Sequence, residues 1–314
     1  MPAKVVCVVG PTASGKTKMG VELAKRFGGE VVSVDSMQIY RGMTIGTAAP
    51  TMEEMDGVPH HMIAVADPSE NWSVARFTEE ADRCIADILS RGKLPVLVGG
   101  TGLYLDALVK GNSFAQGSAG TAVRQALQKR MTEEGAAVLL EELRAIDPVT
   151  AERLHVKDEK RIVRALEIWQ ETGQTMTEHD LATQKLPPKY EAIYIGLNFN
   201  DRADLRERID HRVDIMVQQG LLQEVRQLLS AGIPRTATSL QAIGYKQFLA
   251  VEEGRASVEE AVEEVKLRSR QYAKRQLTWL RRNQAIHWIG WEKVPDFQSA
   301  LQIATEILTA QGLG

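Results

Sequence analysis

With 314 residues, 44% hydrophobic and 25% charged, the chain has the make-up of a globular protein of about two domains, or of one large domain carrying an insertion. No apolar run approaches the ~18 residues of a membrane span and no signal-peptide pattern opens the chain, which argues against a membrane role. Two cysteines, Cys7 and Cys84, are too few for a disulfide framework or a zinc site, so a reducing cytoplasm is the expected setting; a net charge of −3 does not advertise nucleic-acid binding, and the distribution of charge has to be read instead.

The first apolar segment, residues 4–9, is rich in β-branched side chains and long enough for one buried strand. Gly10-Pro11-Thr12-Ala13-Ser14-Gly15-Lys16-Thr17 follows, and then Met19, Leu23 and Phe27 recur at helical spacing. Strand, glycine loop and helix form the context that a G-x-x-x-x-G-K-[ST] pattern requires. Gly10 and Gly15 let successive backbone N–H groups turn into one concavity at a helix N-terminus. Lys16 adds a point charge, and the Thr17 hydroxyl is placed for Mg2+. Such a loop reads phosphate and not the group attached to it, so a polyphosphate or pyrophosphate is the expected ligand. The plain alternative, a glycine turn with a surface lysine, does not account for the flanking pattern.

Residues 30–34 predict a second strand that ends at Asp35-Ser36-Met37-Gln38. A carboxylate there stands where open α/β sheets place their ligands. It suits a Mg2+ ligand, a general base that orients an acceptor, or simply a turn aspartate. Residues 39–59 are irregular and longer than a neutral connection, which predicts a functional loop. His60 and His61 follow Pro59 and are expected to pack or hydrogen bond, not to hold a metal. A third strand is predicted over 62–66. Ser73 then caps a helix with Phe77, Ala81, Cys84, Ile85, Ile88 and Leu89 on its apolar face. Residues 94–98 predict a fourth strand, closed by Gly99-Gly100-Thr101-Gly102. That turn offers amides and a hydroxyl to an anionic oxygen, unless Thr101 merely caps the next helix.

From residue 112 to 189 the composition changes. A small, polar stretch at 111–120 reads as a flexible link, and helical patterns follow at 121–133, 135–146 and 158–172. Residues 190–197 return to the sheet. Asp201 caps a long helix, further helices are predicted near 219–231, 238–253 and 257–283, residues 285–289 predict a last strand, and Pro295 opens a final helix. Two basic tracts stand out. Lys160, Arg161 and Arg164 share a helix with Val163, Leu166 and Trp169. Between 266 and 282 lie Lys266, Arg268, Arg270, Lys274, Arg275, Arg281 and Arg282 without one acidic residue, interleaved with Tyr272 and Trp279. A charge run is usually a solvated face, but a carboxylate-free run in a net acidic chain suits a phosphate-bearing partner equally. No apolar strand ends in the Asp-Glu pair of motor ATPases, which leaves small kinases and transferases.

Taken in order, the glycine loop, Asp35-Ser36-Met37-Gln38-Ile39-Tyr40, Ile45-Gly46-Thr47-Ala48, Pro59-His60-His61, Val98-Gly99-Gly100-Thr101-Gly102-Leu103-Tyr104, Lys160-Arg161-Ile162-Val163-Arg164-Ala165-Leu166-Glu167, Ile243-Gly244-Tyr245 and Tyr272-Ala273-Lys274-Arg275-Gln276 resemble the bacterial tRNA dimethylallyltransferase (tRNA isopentenyltransferase) family over about residues 4–290. Ala49 departs from the family, where a lysine is common, and the zinc-finger extension of eukaryotic relatives is absent from this sequence. The resemblance implies an α/β fold: a P-loop NTPase-like core with a parallel sheet flanked by helices (1–111 and 190–314), plus a helical insertion domain (112–189) that clamps the tRNA anticodon stem-loop. It implies a cytoplasmic, monomeric enzyme that moves the dimethylallyl group from dimethylallyl diphosphate to N6 of the adenosine 3′-adjacent to the anticodon, with Mg2+ as cofactor. By the resemblance, residues 10–17 grip the diphosphate, Thr17 holds Mg2+, Asp35 takes the N6 proton and Thr101 bonds the bridging oxygen of the leaving group. Ser36, Met37 and Gln38 meet the target base and its neighbours. Arg124, Lys160, Arg161, Ile162, Val163, Arg164, Lys274 and Arg275 meet the tRNA. Arg208 and Arg212, a turn apart, are either further diphosphate ligands, with Arg208 preferred, or an exposed arginine pair.

Two other enzymes fit the loop. An ATP-dependent small-molecule kinase leaves the basic tract and the insertion without a purpose, and an adenylate isopentenyltransferase acting on free nucleotide needs no RNA clamp. A nucleotide-switched binding protein gains nothing from Thr101 beside Asp35.

Overall fold

A computed structural model of the chain describes residues 2–111, 121–184 and 187–313. In chain order the elements are β1 (Ala3–Val9), α1 (Lys16–Arg26), β2 (Gly29–Val34), α2 (Met52–Met55), β3 (His60–His61), α3 (Val74–Ser90), β4 (Leu94–Gly99) and α4 (Gly102–Lys110). Then come α5 (Ala122–Glu133), α6 (Ala136–Ile146), α7 (Pro148–Glu152), α8 (Glu159–Thr172), α9 (Met176–Gln184), β5 (Tyr190–Phe199), α10 (Arg202–Gln218), α11 (Leu221–Ser230), α12 (Tyr245–Glu252), α13 (Val258–Leu280), β6 (Ile286–Trp291) and α14 (Phe297–Ala310). They form two compact units, one of residues 1–109 with 189–314 and one of residues 110–188. The polar link expected at 111–120 lies, from residue 112 on, outside the described residues.

The first unit is built on a six-stranded, wholly parallel sheet in the order β3-β2-β4-β1-β5-β6. Parallel strands are covered by helices on both faces and therefore read as continuous apolar runs, as Val5 to Val9 do. The alternation of side chains then divides this run. Val5, Cys7 and Val9 join one core with Phe77, Ile85 and Ile88 of α3, Leu108 of α4 and Phe248 of α12. Val6 and Val8 join the other, with Met19 and Leu23 of α1 and Ala304 and Leu308 of α14. From β1 the chain crosses α1 to reach β2 on one side, whereas from β4 it leaves for β5 on the other. The carboxyl ends of β1 and β4, neighbours in the sheet, thus face a topological switch point, where open α/β sheets bind their ligands.

Several expectations are corrected. Residues 62–66 are not a strand: pairing stops after His60 and His61, because Met62 and Ala64 adopt left-handed backbone (φ 62° and 52°) that breaks the extended run, and Ala66 turns to bridge Tyr40. The helix expected at 238–253 starts only at Tyr245, since the backbone is extended at Ala242 after a short 3-10 turn. Asp296, not Pro295, caps α14 by accepting from the Ser299 amide. The short helices α2, α7 and α9 have too few turns to show a period in sequence.

In the second unit Leu127, Leu139, Leu143, Ile162, Val163 and Leu166 form a separate core. Asp147 caps α7 through the Thr150 amide (3.0 Å) and also accepts from the Thr177 amide (2.9 Å) and hydroxyl (2.6 Å), tying α7 to α9. Ile162 and Val163, at 0% and 4% exposure, spend their side chains on this core. Any contact of theirs with tRNA is left to the backbone.

Candidate active site

Three neighbouring strands end at one level. Val9 is opposite Gly99 across β1 and β4, and Val34 is opposite the same Gly99 across β2 and β4. With strands ~4.8 Å apart, the glycine loop after β1, Gly100-Thr101 after β4 and Asp35 after β2 stand side by side along one sheet edge. The loop, Asp35 and Gly100 border a cavity of about 380 Å³, and Thr101 stands next to that lining.

The loop before α1 has the strained backbone of an anion cradle. Gly10 lies at φ +151° and a Cβ there would come within 2.3 Å of the Leu197 carbonyl oxygen, while Ala13 holds φ 64°. Ser14 is buried with no partner for its hydroxyl among the described residues, and its carbonyl accepts from Trp291 Nε1 at 2.8 Å. Lys16 donates to the Pro11 carbonyl at 2.6 Å. Burial and then the charge of Arg212 push its ammonium down to about 7, against the pull of Asp35. A positive charge held at such a cost has a standing demand for an anion. Thr12, Lys16 and Thr17 line the cavity. Of the two arginines on α10, Arg212 lines the cavity and donates to the Ala48 carbonyl (3.4 Å), with burial lowering its pKa. Arg208 is exposed, lies over the Phe199 ring and donates to the Ala13 carbonyl at 3.4 Å, which places it at the rim of the loop.

Asp35 satisfies the turn reading and the site reading at once. Its Oδ1 accepts from the amides of Met37 (2.8 Å) and Gln38 (3.3 Å), and the residue lines the cavity. Its charge reaches Tyr272 of α13, whose hydroxyl is pushed up to about 12 by burial and then by Asp35. Thr101 does not cap α4 with its side chain. Its Oγ1 is buried and makes no hydrogen bond of good geometry among the described residues, although it lies close enough to the Tyr272 hydroxyl to lower that group slightly against its upward shift. Such a group costs ~1–3 kcal/mol unless something arrives to meet it.

Gln276 received no role from the sequence, yet it joins two of the three strand ends. Its Oε1 accepts from the Thr12 amide (2.8 Å) and its Nε2 donates to the Gly100 carbonyl (3.1 Å). A Cβ on Gly100 would meet that Nε2 at 2.2 Å, which is why the turn needs glycine there. Tyr272, Gln276 and Trp279, whose Nε1 donates to Asp106 (2.8 Å), fall on one face of α13 at i, i+4 and i+7. That spacing was the available signal.

The irregular stretch at 39–59 forms the cavity's other rim, with Gly46, Thr47 and Ala48 among the lining. Gln38 lines it too, but its amide is engaged: Oε1 accepts from Ser33 (2.8 Å) and Nε2 donates to the carbonyls of Thr47 (3.3 Å) and Ala48 (3.2 Å). His60 bonds the Val58 carbonyl and His61 bonds Glu30, so both hydrogen bond as expected, although they do so from strand β3 and not from a loop. Ile209, Val213, Met216, Ile243 and Val265 give the cavity an apolar wall.

The basic tract of α13 is divided by its neighbours. Lys266 pairs with Asp214 (2.8 Å) and Arg270 with Asp210 (2.6 Å), both on α10, and Arg268 pairs with Glu264 (2.6 Å). These three are structural cations. Lys274 and Arg275 have no carboxylate partner among the described residues; Arg275 lines the cavity and lies over the Tyr272 ring. In the second unit, Lys160 and Arg161 are exposed. Arg164 (2.7 Å) and Arg124 (3.5 Å) instead converge on the fully buried carboxylate of Glu167.

A family model described as IPP transferase matches residues 38–283, and one described as isopentenyl transferase matches residues 3–69. The chain belongs to the IPP transferase family. It is 43% identical over 308 residues to a tRNA dimethylallyltransferase of Caldanaerobacter subterraneus subsp. tengcongensis, covering 98% of this chain and 97% of that one. With the tRNA dimethylallyltransferase of Bacillus cytotoxicus it shares 47% over 285 residues, 91% and 89% of the two chains. Among solved structures, the tRNA isopentenylpyrophosphate transferase of Bacillus halodurans is similar at a TM-score of 0.72 and 44% identity, covering 98% and 96% of the chains. A eukaryotic dimethylallyltransferase acting on tRNA is similar at a TM-score of 0.82 and 30% identity, covering 98% of this chain and 80% of that one.

Proposed function

We propose that this chain transfers the dimethylallyl group from dimethylallyl diphosphate to N6 of the adenosine on the 3′ side of the anticodon in tRNA, releasing pyrophosphate. The observation that carries this reading is the level juxtaposition of the glycine loop, Asp35 and the Gly100-Thr101 turn at three strand ends, beside a cavity with an apolar wall. The loop takes the diphosphate and the wall takes the five-carbon group. A kinase reading uses the loop but leaves the wall idle.

In the step, the N6 lone pair forms a bond to C1 of the dimethylallyl group while the bond from C1 to the bridging oxygen breaks, and the electron pair leaves with pyrophosphate. N6 is a weak nucleophile because its lone pair is delocalised into the ring, so the Asp35 carboxylate orients the amine and accepts its proton. Negative charge grows on the leaving group, where the loop amides, Lys16, Arg208 and Arg212 stand, and the Thr101 hydroxyl meets the bridging oxygen. Preorganised donors fixed by the fold serve this better than solvent, which would have to reorganise.

Mg2+ fits the donors present. The Thr17 hydroxyl, in the first turn of α1, lines the cavity beside Lys16. Among the described residues no group of three His, Cys, Asp or Glu side chains could hold a metal ion, so phosphate oxygens and water would complete the shell, as this ion prefers. Bound there, it would add positive charge to the leaving pyrophosphate.

To reach Asp35 the adenosine must leave its stack. Lys274 and Arg275 beside the cavity, and the exposed Lys160 and Arg161 on the second unit, the latter in an exposed pair with Asp158, are the cations offered to the RNA backbone; that unit is proposed as the clamp on the anticodon stem-loop. One chain supplies every group named, which suits a monomer. Among the described residues no helix is long and apolar enough to cross a membrane, and a cytoplasmic setting goes with the tRNA substrate.

The test is transfer of radiolabel from dimethylallyl diphosphate to unmodified tRNA, with Mg2+ and without ATP, beside AMP as a second acceptor. Label in tRNA that disappears when the adenosine next to the anticodon is replaced supports the reading. Label in AMP alone, or ATP turnover with no transfer, overturns it.

A further inference from the structure

The rim of the cavity is held by a residue that touches none of the reacting groups. Glu224 of α11 is 6% exposed and belongs to neither the glycine loop nor the basic tracts. Five donors converge on its carboxylate. Oε2 accepts from the Thr44 amide, the Thr44 hydroxyl and the Ile45 amide, all at 2.9 Å, and Oε1 accepts from the Gly46 amide (3.0 Å) and the Tyr245 hydroxyl (2.5 Å). Three successive amides turned toward one anion form a nest, here filled by the protein's own side chain. Burial, and then Glu224 itself, drive the Tyr245 hydroxyl far above its usual value, so it stays a donor. The ring of Tyr245 packs so closely on the nest that a Cβ at Gly46 would meet it at 2.5 Å.

The next two residues of that rim hold the site. The Thr47 and Ala48 carbonyls accept from the Gln38 side-chain amide, and the Ala48 carbonyl also accepts from Arg212. Gln38 stands beside Asp35 on the proposed base side, and Arg212 stands on the proposed diphosphate side. We propose that Glu224 is a positioning residue for the transfer reaction, fixing residues 44–48 so that one strut sets both Gln38 and Arg212 in the cavity. This rests on the proposed function. A loop with no regular secondary structure has many alternative paths, and the convergent carboxylate selects one of them.

A purely structural carboxylate and a positioning one differ in coupling. Glu224→Gln keeps the shape but replaces one acceptor oxygen by a donor facing donors. Its kcat/KM for tRNA and its melting temperature are measured in the wild-type and Gln38→Ala backgrounds, with label transfer by the wild-type chain as the control. The expected result is a loss of about 10–100-fold in the first background, at a temperature where the variant is folded, and a several-fold smaller loss in the Gln38→Ala background, because one of the two groups it positions is gone while Arg212 remains. Equal losses in both backgrounds, or no loss in the first, overturn the positioning role. Should Glu224→Gln fail to fold, Tyr245→Phe removes a single donor from the same carboxylate and enters the same cycle with the same expectations. Absence of transfer by the wild-type chain instead overturns the proposed function, so the two failures are told apart.

Discussion

Asp35 and Thr101 make separable predictions, because one is already engaged in the free protein and the other is not. Asp35→Asn keeps an acceptor for the Met37 and Gln38 amides, so the turn should persist. The loss of a proton acceptor should lower kcat by about 10²–10⁴-fold, with tRNA affinity within about 3-fold of wild type. Single-turnover kinetics beside a filter-binding titration checks this, and a large loss of affinity with normal turnover would remove the base from Asp35. Thr101→Val is the sharper case. Its buried Oγ1 makes no hydrogen bond of good geometry among the described residues, with only the Tyr272 hydroxyl near it, so an isosteric methyl should leave the melting temperature unchanged or raised while transfer falls about 10²-fold. A lower melting temperature with intact transfer would make the hydroxyl structural. The Gly-Gly-Thr-Gly spelling showed that Thr101 could cap or bind. The choice needed the burial of one atom.

At the scale of elements, α13 shows how far a run of like charges can be read. In sequence the seven cations of residues 266–282, five of them on α13, stand in a tract without a carboxylate, yet Asp210 and Asp214 of α10 claim Arg270 and Lys266. Two pairs of substitutions on one helix should therefore behave differently. Neutralising Lys274 and Arg275 should weaken tRNA binding and reduce the slope of log affinity against log salt by about 1–2 units. Neutralising Lys266 and Arg270 should leave that slope unchanged and act on stability. Affinity titrations over a range of salt decide, and equal slopes for both double variants would return the whole tract to the solvated faces. The same helix presents Gln276 to the loops after β1 and β4. Its helical spacing was legible, but its partners were not, since they lie 264 and 176 positions away.

For the whole molecule, the sheet is tied together at its far side by Glu30. This carboxylate of β2 is 2% exposed and receives Arg91, Lys93 and His61. Arg91 above all, then Lys93 and His61, hold it well below its ordinary value of 4.5. A depressed acid contributes stability above its unfolded value, and that contribution is lost as pH falls below about 4.5 toward the folded value. Glu30→Gln should cost about 2 kcal/mol at neutral pH, less than the ~3–5 kcal/mol of breaking a fully buried pair, because Arg91 and Lys93 are over a third exposed. It should also flatten the acid side of the stability curve, as urea melts from pH 7 to 3 would record. An unchanged acid limb would remove Glu30 from that role. In the second unit Arg124 and Arg164 likewise share a fully buried carboxylate, Glu167.

What the sequence by itself determined is local. The apolar runs of β1, β2 and β4, the turn chemistry of residues 10–17 and the caps at Ser73 and Asp201 are encoded within about ten residues each, so period and spelling suffice. The tertiary structure alone decided which groups remain unpaired and which meet. Glu224 stands 178 positions from Gly46, and three strand ends that are far apart in sequence become level only through the register of a parallel sheet. Hydrogen bonds and ion pairs saturate: each one formed inside the fold withdraws a side chain from any ligand. A chain read residue by residue counts donors and charges, and only packing shows which of them are already taken.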